Sequence, residues 1–230
     1  MNATRWALHN FLNDRTMESF SQQAGSLIVD RLILAIQENK QFLSDIDGAI
    51  GDGDHGINMN KGFTLCREAL DKQPGDLSYS LKTLGKILMM KIGGSMGPLY
   101  GKFFLPIGKA LEEAQEIDKE AFGKALDSAM EAIHAISPAK VGDKTLMDVL
   151  IPAQEAYNSA LAGGLSFQEA LDAMDAAALK GRDSTVDLVA KLGRSSRLGE
   201  RSRGVMDAGS ASCYLILHTM ADTIKELLAA

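Results

Sequence analysis

The sequence is poor in cysteine. Two thiols, Cys66 and Cys213, stand far apart in 230 residues, and no Cys-x-x-Cys occurs. That excludes a disulfide framework and a thiolate zinc site, and it fits a reducing cytoplasm. No apolar run reaches the length of a membrane span. The first residues lack the basic start, apolar centre and cleavage site of a secretory signal. An excess of positive charge is also missing. The formal charge of −6 argues against general binding to nucleic acid or to an anionic membrane. There is no Gly-x-x-x-x-Gly-Lys-Ser/Thr motif and no alternation of strand and helix patterns. A phosphate loop of that type and a Rossmann sheet are thereby set aside. Neither an internal repeat nor a low-complexity linker breaks the chain, whose length suits one sizeable domain.

What is present is helical periodicity punctuated by glycine. Residues 1–14 read as a loose N-terminal extension or short helix, and 15–230 as the domain proper. Helices are expected over about 16–41, 57–72, 77–92, 98–115, 119–136, 145–162, 167–180, 183–191 and 210–229. Leu77, Leu81, Leu84, Leu88 and Ile92, for example, recur at helical spacing. Pro98 suits a first helical position. Thr145 with Asp148 reads as an N-cap and its acidic partner, and Gly163-Gly164 as a stop. The fold class is a single all-α domain of eight or nine helices. Four glycine-bearing loops, 47–56, 93–98, 141–145 and 193–209, join them. Alternate loops of an antiparallel bundle emerge at one end, so several of these can converge.

The first loop is the most informative. Asp47, Asp52 and Asp54 fall within eight positions, with glycines between them. Carboxylates packed so closely repel unless a cation lies among them, and hard oxygen ligands point to Mg²⁺ or Ca²⁺. An EF-hand fails on spacing: counting from Asp52 places Phe63 at the twelfth position, and counting from Asp47 places Asn58 there. A solvated Gly/Asp turn is the plain alternative. His55 can ligate metal, act as a base or shape the loop, whereas His134 and His218 lie in apolar helical contexts and read as structural.

The other loops carry features suited to anions. Gly93-Gly94-Ser95-Met96-Gly97 opens a helix, where backbone N–H groups and the helix dipole favour a phosphate; a plain helix–helix turn also needs glycine. Lys144 is either a phosphate contact or a solvated charge. Lys191, Arg194, Arg197, Arg201 and Arg203 stand against one acid, Glu200, in a glycine-broken stretch. Arginine forks suit phosphate, and a solvated basic loop is the alternative. Together the loops suggest a divalent cation with a phosphorylated ligand, the requirement of phosphoryl transfer.

In combination these stretches resemble a known family. Ile50-Gly51-Asp52-Gly53-Asp54-His55-Gly56-Ile57-Asn58-Met59-Asn60 is similar to the signature of the nucleotide-binding L subunit of bacterial dihydroxyacetone kinase. The similarity continues at Gly93–Gly101, at Gly142-Asp143-Lys144-Thr145 and at 193–202, covering roughly 16–229 in order. The resemblance implies an antiparallel eight-helix barrel with a nucleotide at one end. It implies that Asp47, Asp52 and Asp54 hold two Mg²⁺ ions bridging the phosphates. His55, Gly56, Ile57 and Asn58, with Ser95 and Met96, would lie at those phosphates, Gly53 and Gly56 letting backbone approach. Ser137, Leu146, Arg194, Asp207, Ala208 and Gly209 would surround the nucleotide. Ser137 stands where relatives often have glycine, and Ala208 where they often have proline.

The phosphotransferase-system branch further implies ADP kept as a cofactor, rephosphorylated by a phosphohistidine on an M-type subunit. The phosphoryl group then passes to dihydroxyacetone held on a K subunit. The Asp54-His55-Gly56 sequence favours this free-standing branch over fused kinases. Alternatives are an ATP-dependent kinase subunit for erythrulose or another short ketose, a nucleotide-dependent module that binds a transcription regulator, and, less favoured, a fatty-acid kinase domain. No nucleic-acid or membrane partner is expected, and a homodimer is left open.

Overall fold

The computed structural model describes residues 18–230, so the expected 1–14 extension lies outside the described residues. Nine α-helices are found among them: α1 (Gln22–Glu38), α2 (Lys40–Ile50), α3 (His55–Lys72), α4 (Leu77–Lys91), α5 (Met96–Ala110), α6 (Lys119–His134), α7 (Met147–Ala162), α8 (Phe167–Ser184) and α9 (Ala208–Leu228). Short polar side chains set several starts by accepting from the orphan N–H groups of the first turn. Ser21 does so for α1, Asp76 for α4, Asp118 for α6 and Asp207 for α9. Ser166 and Glu169 form a reciprocal capping box at α8.

The helices close a ring. Contacts run from α1 to α3 and on through α4, α5, α6, α7, α8 and α9, which returns to α1. That ring has the eight helices implied by the resemblance. The ninth, short α2, crosses one end and packs on α3 and α9. The leucine stripe of α4, from Leu77 to Ile92, is wholly buried, as its spacing predicts. Phe63 and Phe104 meet edge to face at 6.0 Å within the ring. At the end remote from α2, Phe122, Tyr157 and Phe167 pack together, and Phe20 stacks on Phe167.

Four expectations are corrected. The helix expected over 16–41 breaks at Asn39, whose side-chain amide donates to the Ala35 carbonyl (2.9 Å) and ends α1. Asp47 therefore sits in the last turn of α2 and not in a loop. A two-stranded ladder, β1 (Ser19–Ser21) with β2 (Glu116–Asp118), pairs Phe20 with Ile117 and ties the start of α1 to the start of α6. Three residues carry no readable alternation, so periodicity could not reveal it. The helix expected over 183–191 is absent. Instead α8 ends at Ser184, where the Thr185 hydroxyl donates to the Arg182 carbonyl (2.7 Å) and accepts from the Asp207 N–H (3.1 Å). Finally, α5 begins at Met96, which places Pro98 third in the helix, still inside the first turn where its missing N–H costs nothing.

Candidate functional site

Ring parity decides where the loops go. With α1 running toward the end that α2 crosses, the connections α2–α3, α4–α5, α6–α7 and α8–α9 all fall at that end. They surround a cavity of about 560 Å³, a size suited to a small-molecule ligand. Of the residues expected at the site, Asp47, Asp52, Asp54, His55, Asn58, Ser95, Met96, Ser137, Leu146, Arg194, Asp207, Ala208 and Gly209 line it. Gly56 and Ile57 do not. Ile57 is 53% exposed outside the cavity wall.

The α2–α3 connection gathers the acids. The Gly51 N–H donates to the Asp47 carbonyl (2.5 Å), which ends α2. The His55 N–H donates to Asp47 Oδ2 (3.2 Å), tying the start of α3 back to it. Gly53, at φ +75°, supplies the left-handed turn between them. One carboxylate oxygen from each of Asp47, Asp52 and Asp54 lies within 4.8 Å of the others. Oxygens on one Mg²⁺ at about 2.1 Å stand no more than about 4.2 Å apart. The spread is slightly wider than that limit, and the chemistry of the set, three hard anionic oxygen donors gathered at one turn, fits a divalent cation such as Mg²⁺. Across the cleft, the Arg194 guanidinium pairs with Asp52. The bond joins the α8–α9 connection to the α2–α3 one.

Gly56 has a different reason to be glycine from the one expected. A Cβ there would run into the Lys40 carbonyl and the Ser44 side chain, because α2 and α3 touch backbone to backbone.

His55 is buried, and its Nε2 meets Ser212 Oγ at 2.8 Å, while Tyr100 OH meets the same oxygen at 2.6 Å. Three of the elements around the cavity, α3, α5 and α9, are thereby linked beneath it. Desolvation lowers the His55 pKa to about 4, so the ring is neutral near pH 7. The folded value lies below the 6.5 of an unperturbed imidazole. This contribution to stability is therefore complete above pH 6.5 and lost as pH falls through about 4. The expected loss is about 3 kcal/mol, at about 1.36 kcal/mol per unit. Urea titrations between pH 7 and 4 check it, with His55→Gln expected to flatten the slope.

Asp207 caps α9 by accepting from the Ser210 N–H (2.7 Å). Burial, with the nearby Asp148 and Asp47 charges, pushes it up to about 7, and the Ser210 N–H and Lys144 partly oppose the rise.

Lys144 is neither of the things expected. It is 1% exposed, at φ +61°, and its ammonium donates to the carbonyls of Leu188 (3.0 Å), Ser202 (2.6 Å) and Val205 (2.6 Å). A left-handed lysine costs about 1–2 kcal/mol and persists only where its surroundings hold it. Asp148 does the holding. Its carboxylate accepts from the Gly142 N–H (2.5 Å) and the Thr145 N–H (2.7 Å). Thr145 in turn accepts from the Met147 N–H (3.1 Å), but it is not the expected N-cap: Leu146 stands there with no side-chain cap, α7 begins at Met147, and of the expected pairing only the Asp148 bond to the Thr145 N–H is made. Sequence reading missed Tyr100, Ser212 and the structural use of Lys144. The first two lie on buried helix faces where polar residues carry no spacing signal.

Fold and site together define an all-α ring with one acidic, glycine-edged cleft at the end where alternate connections meet. The chain belongs to the DAK2 domain family, whose model matches residues 49–222. It is 42% identical over 191 residues to the ADP-binding subunit of PEP-dependent dihydroxyacetone kinase 1 of Listeria innocua, covering 82% of this chain and 89% of that one. It is 33% identical over 210 residues to the D-erythrulose kinase of Mycolicibacterium smegmatis, covering 88% of this chain but 36% of that one. The dihydroxyacetone kinase of C. freundii, solved in complex with AMP-PNP and Mg²⁺, shares the fold with a TM-score of 0.61 at 24% identity, over 86% of this chain and 33% of that one.

Proposed function

We propose that this chain is the ADP-binding phosphoryl-transfer subunit of a PEP-dependent dihydroxyacetone kinase. One observation carries the reading. The Asp47/Asp52/Asp54 triad, Arg194 and the N-terminus of α5 all face a single cavity. The higher identity to an ADP-binding subunit of dihydroxyacetone kinase, 42% against 33% to an erythrulose kinase, supports this reading.

In this reading the three carboxylates hold Mg²⁺, two ions by family resemblance, and the amides of Ser95 and Met96 at the start of α5 receive phosphate oxygens. Bound Mg²⁺ neutralises charge that develops on the transferring phosphoryl group. Arg194, which lines the cavity beside Asp52, would offer its guanidinium to phosphate oxygens. Met96, Leu99 and Leu146 offer an apolar wall to the base. Neutral His55 orients the loop from below and does not hold substrate. A phosphohistidine protein recharges ADP, and dihydroxyacetone is presented by a separate K-type subunit in the cytoplasm.

Native mass spectrometry of gently purified protein tests the reading. ADP with Mg²⁺ is expected to stay bound through desalting and to leave with a chelator. Release of all nucleotide on desalting, with turnover supported by ATP alone, would replace it with an ATP-dependent kinase subunit.

A further inference from the structure

Lys144 lies at the cavity, but its charge is spent elsewhere. Its three carbonyl partners are Leu188 before the basic segment, Ser202 near its end and Val205 just beyond it. Between them runs the 3-10 stretch Arg194–Ser202, which carries Arg194. A single ammonium thus gathers the two ends of the loop that presents the cleft's arginine. Nearby bonds tighten the same closure. The Ala190 N–H donates to Ser202 Oγ (2.9 Å), the Gly204 N–H donates to the Val186 carbonyl (2.7 Å), and Arg203 pairs with Glu200. The loop adds hydrogen bonds of its own, such as Ser196 Oγ to the Gly193 carbonyl and Ser202 Oγ to the Gly199 carbonyl, but little apolar burial. Among the residues of the 3-10 stretch only Ser202 is buried, and Gly193, Gly199 and Gly204 all have positive φ. A segment with so little apolar burial does not hold its shape by packing.

We propose that Lys144 is a positioning residue: its ammonium closes the 188–205 loop and so sets Arg194 opposite the Asp52 carboxylate. The proposal rests on the nucleotide reading above for its functional consequence, though not for its structural one. The turn Gly142–Thr145, shaped by Asp148, delivers the side chain from the neighbouring connection. The α6–α7 and α8–α9 connections are therefore coupled through a buried cation, beside the Lys191 N–H bond to the Asp143 carbonyl (3.1 Å) and the ion pair of exposed Lys191 with Asp143. Three donors to three carbonyls satisfy a lysine completely, so no hydrogen remains for a phosphate.

Lys144→Met keeps the aliphatic stem and removes the donors. In nucleotide-free protein, hydrogen exchange of amides 193–205 is expected to quicken at least tenfold in this variant, while α1 and α4 amides keep their wild-type rates. Unchanged exchange in the loop, or a uniform increase throughout, overturns the proposal. If K144M does not fold, K144Q, whose amide reaches fewer carbonyls, is measured in its place with the same two outcomes.

The functional arm is a double-mutant cycle on Mg–ADP affinity. Arg194→Ala is expected to weaken binding severalfold in the wild-type background and much less in K144M, where Arg194 is already released. Equal losses in both backgrounds overturn the positioning role, which a merely structural lysine would not distinguish. Absence of Mg–ADP binding by the wild type would instead fail the nucleotide reading and leave the exchange result to decide the staple.

Discussion

Asp54→Asn is expected to abolish Mg²⁺-dependent retention of ADP, weakening Mg–ADP binding by more than about 100-fold. Loss of an outer-shell partner alone typically costs a metal site about 10–100-fold, and loss of a charged ligand costs more. The same change has an opposite effect on the empty protein. Three carboxylates whose nearest oxygens lie within 4.8 Å of one another repel when no cation separates them. Removing the Asp54 charge relieves that repulsion, so the metal-free variant melts slightly above the metal-free wild type. Asp52→Asn loses binding equally but gains less, because it also forfeits the pairing with Arg194. Saturation at 100 times Kd stabilises a fold by about 2.7 kcal/mol, which raises Tm by roughly 5–11 °C at this chain length. Scanning fluorimetry with and without Mg–ADP should show that rise in the wild type and in neither variant. A full ligand-induced rise in both would remove the triad from the metal assignment.

Gly56→Ala is expected to be the most damaging conservative change near the site, costing about 3 kcal/mol, the upper part of the usual overpacking range. The Cβ would overlap the Lys40 carbonyl and press on Ser44. Both obstacles belong to α2, and the nearest of them is backbone, which cannot rotate away. Relief requires α3 to lift from α2. Asp47 lies in the last turn of α2, while Asp54 caps α3 and His55 begins it, so the lift also opens the triad and strains the His55 N–H bond to Asp47. A Tm fall of roughly 6–12 °C should therefore come with weakened Mg–ADP binding. Gly164→Ala is the control. It lies between α7 and α8 at φ +74° with nothing near its Cβ position, and is expected to cost only about 1 kcal/mol of backbone strain. Its Mg–ADP affinity should equal that of the wild type.

Much of this site is legible in the amino-acid order. Charge crowding makes the aspartates conspicuous at any register, because carboxylates so close along a chain cannot be far apart in space. Glycine loops between apolar periodicities are equally plain, since both features depend only on near neighbours. Lys144 shows where such reading stops. A lysine in Gly142-Asp143-Lys144-Thr145 reads as a charge facing water or phosphate, and only the return of 188–205 across it reveals three carbonyls in wait. Tyr100 and Ser212 are 112 positions apart, and no spacing joins them.

The sequence by itself determined the helical class, most helix boundaries, the acidic donor set and, through combined loop resemblance, the family. Each of these is local, written in side-chain period, capping groups or short motifs. Tertiary structure alone decided that α2 crosses the ring's end, that Asp47 is helical, that Gly56 is a contact between backbones and that Lys144 is a staple. Those outcomes depend on which distant segments come to lie together when the ring closes, and long-range packing leaves no period in the chain.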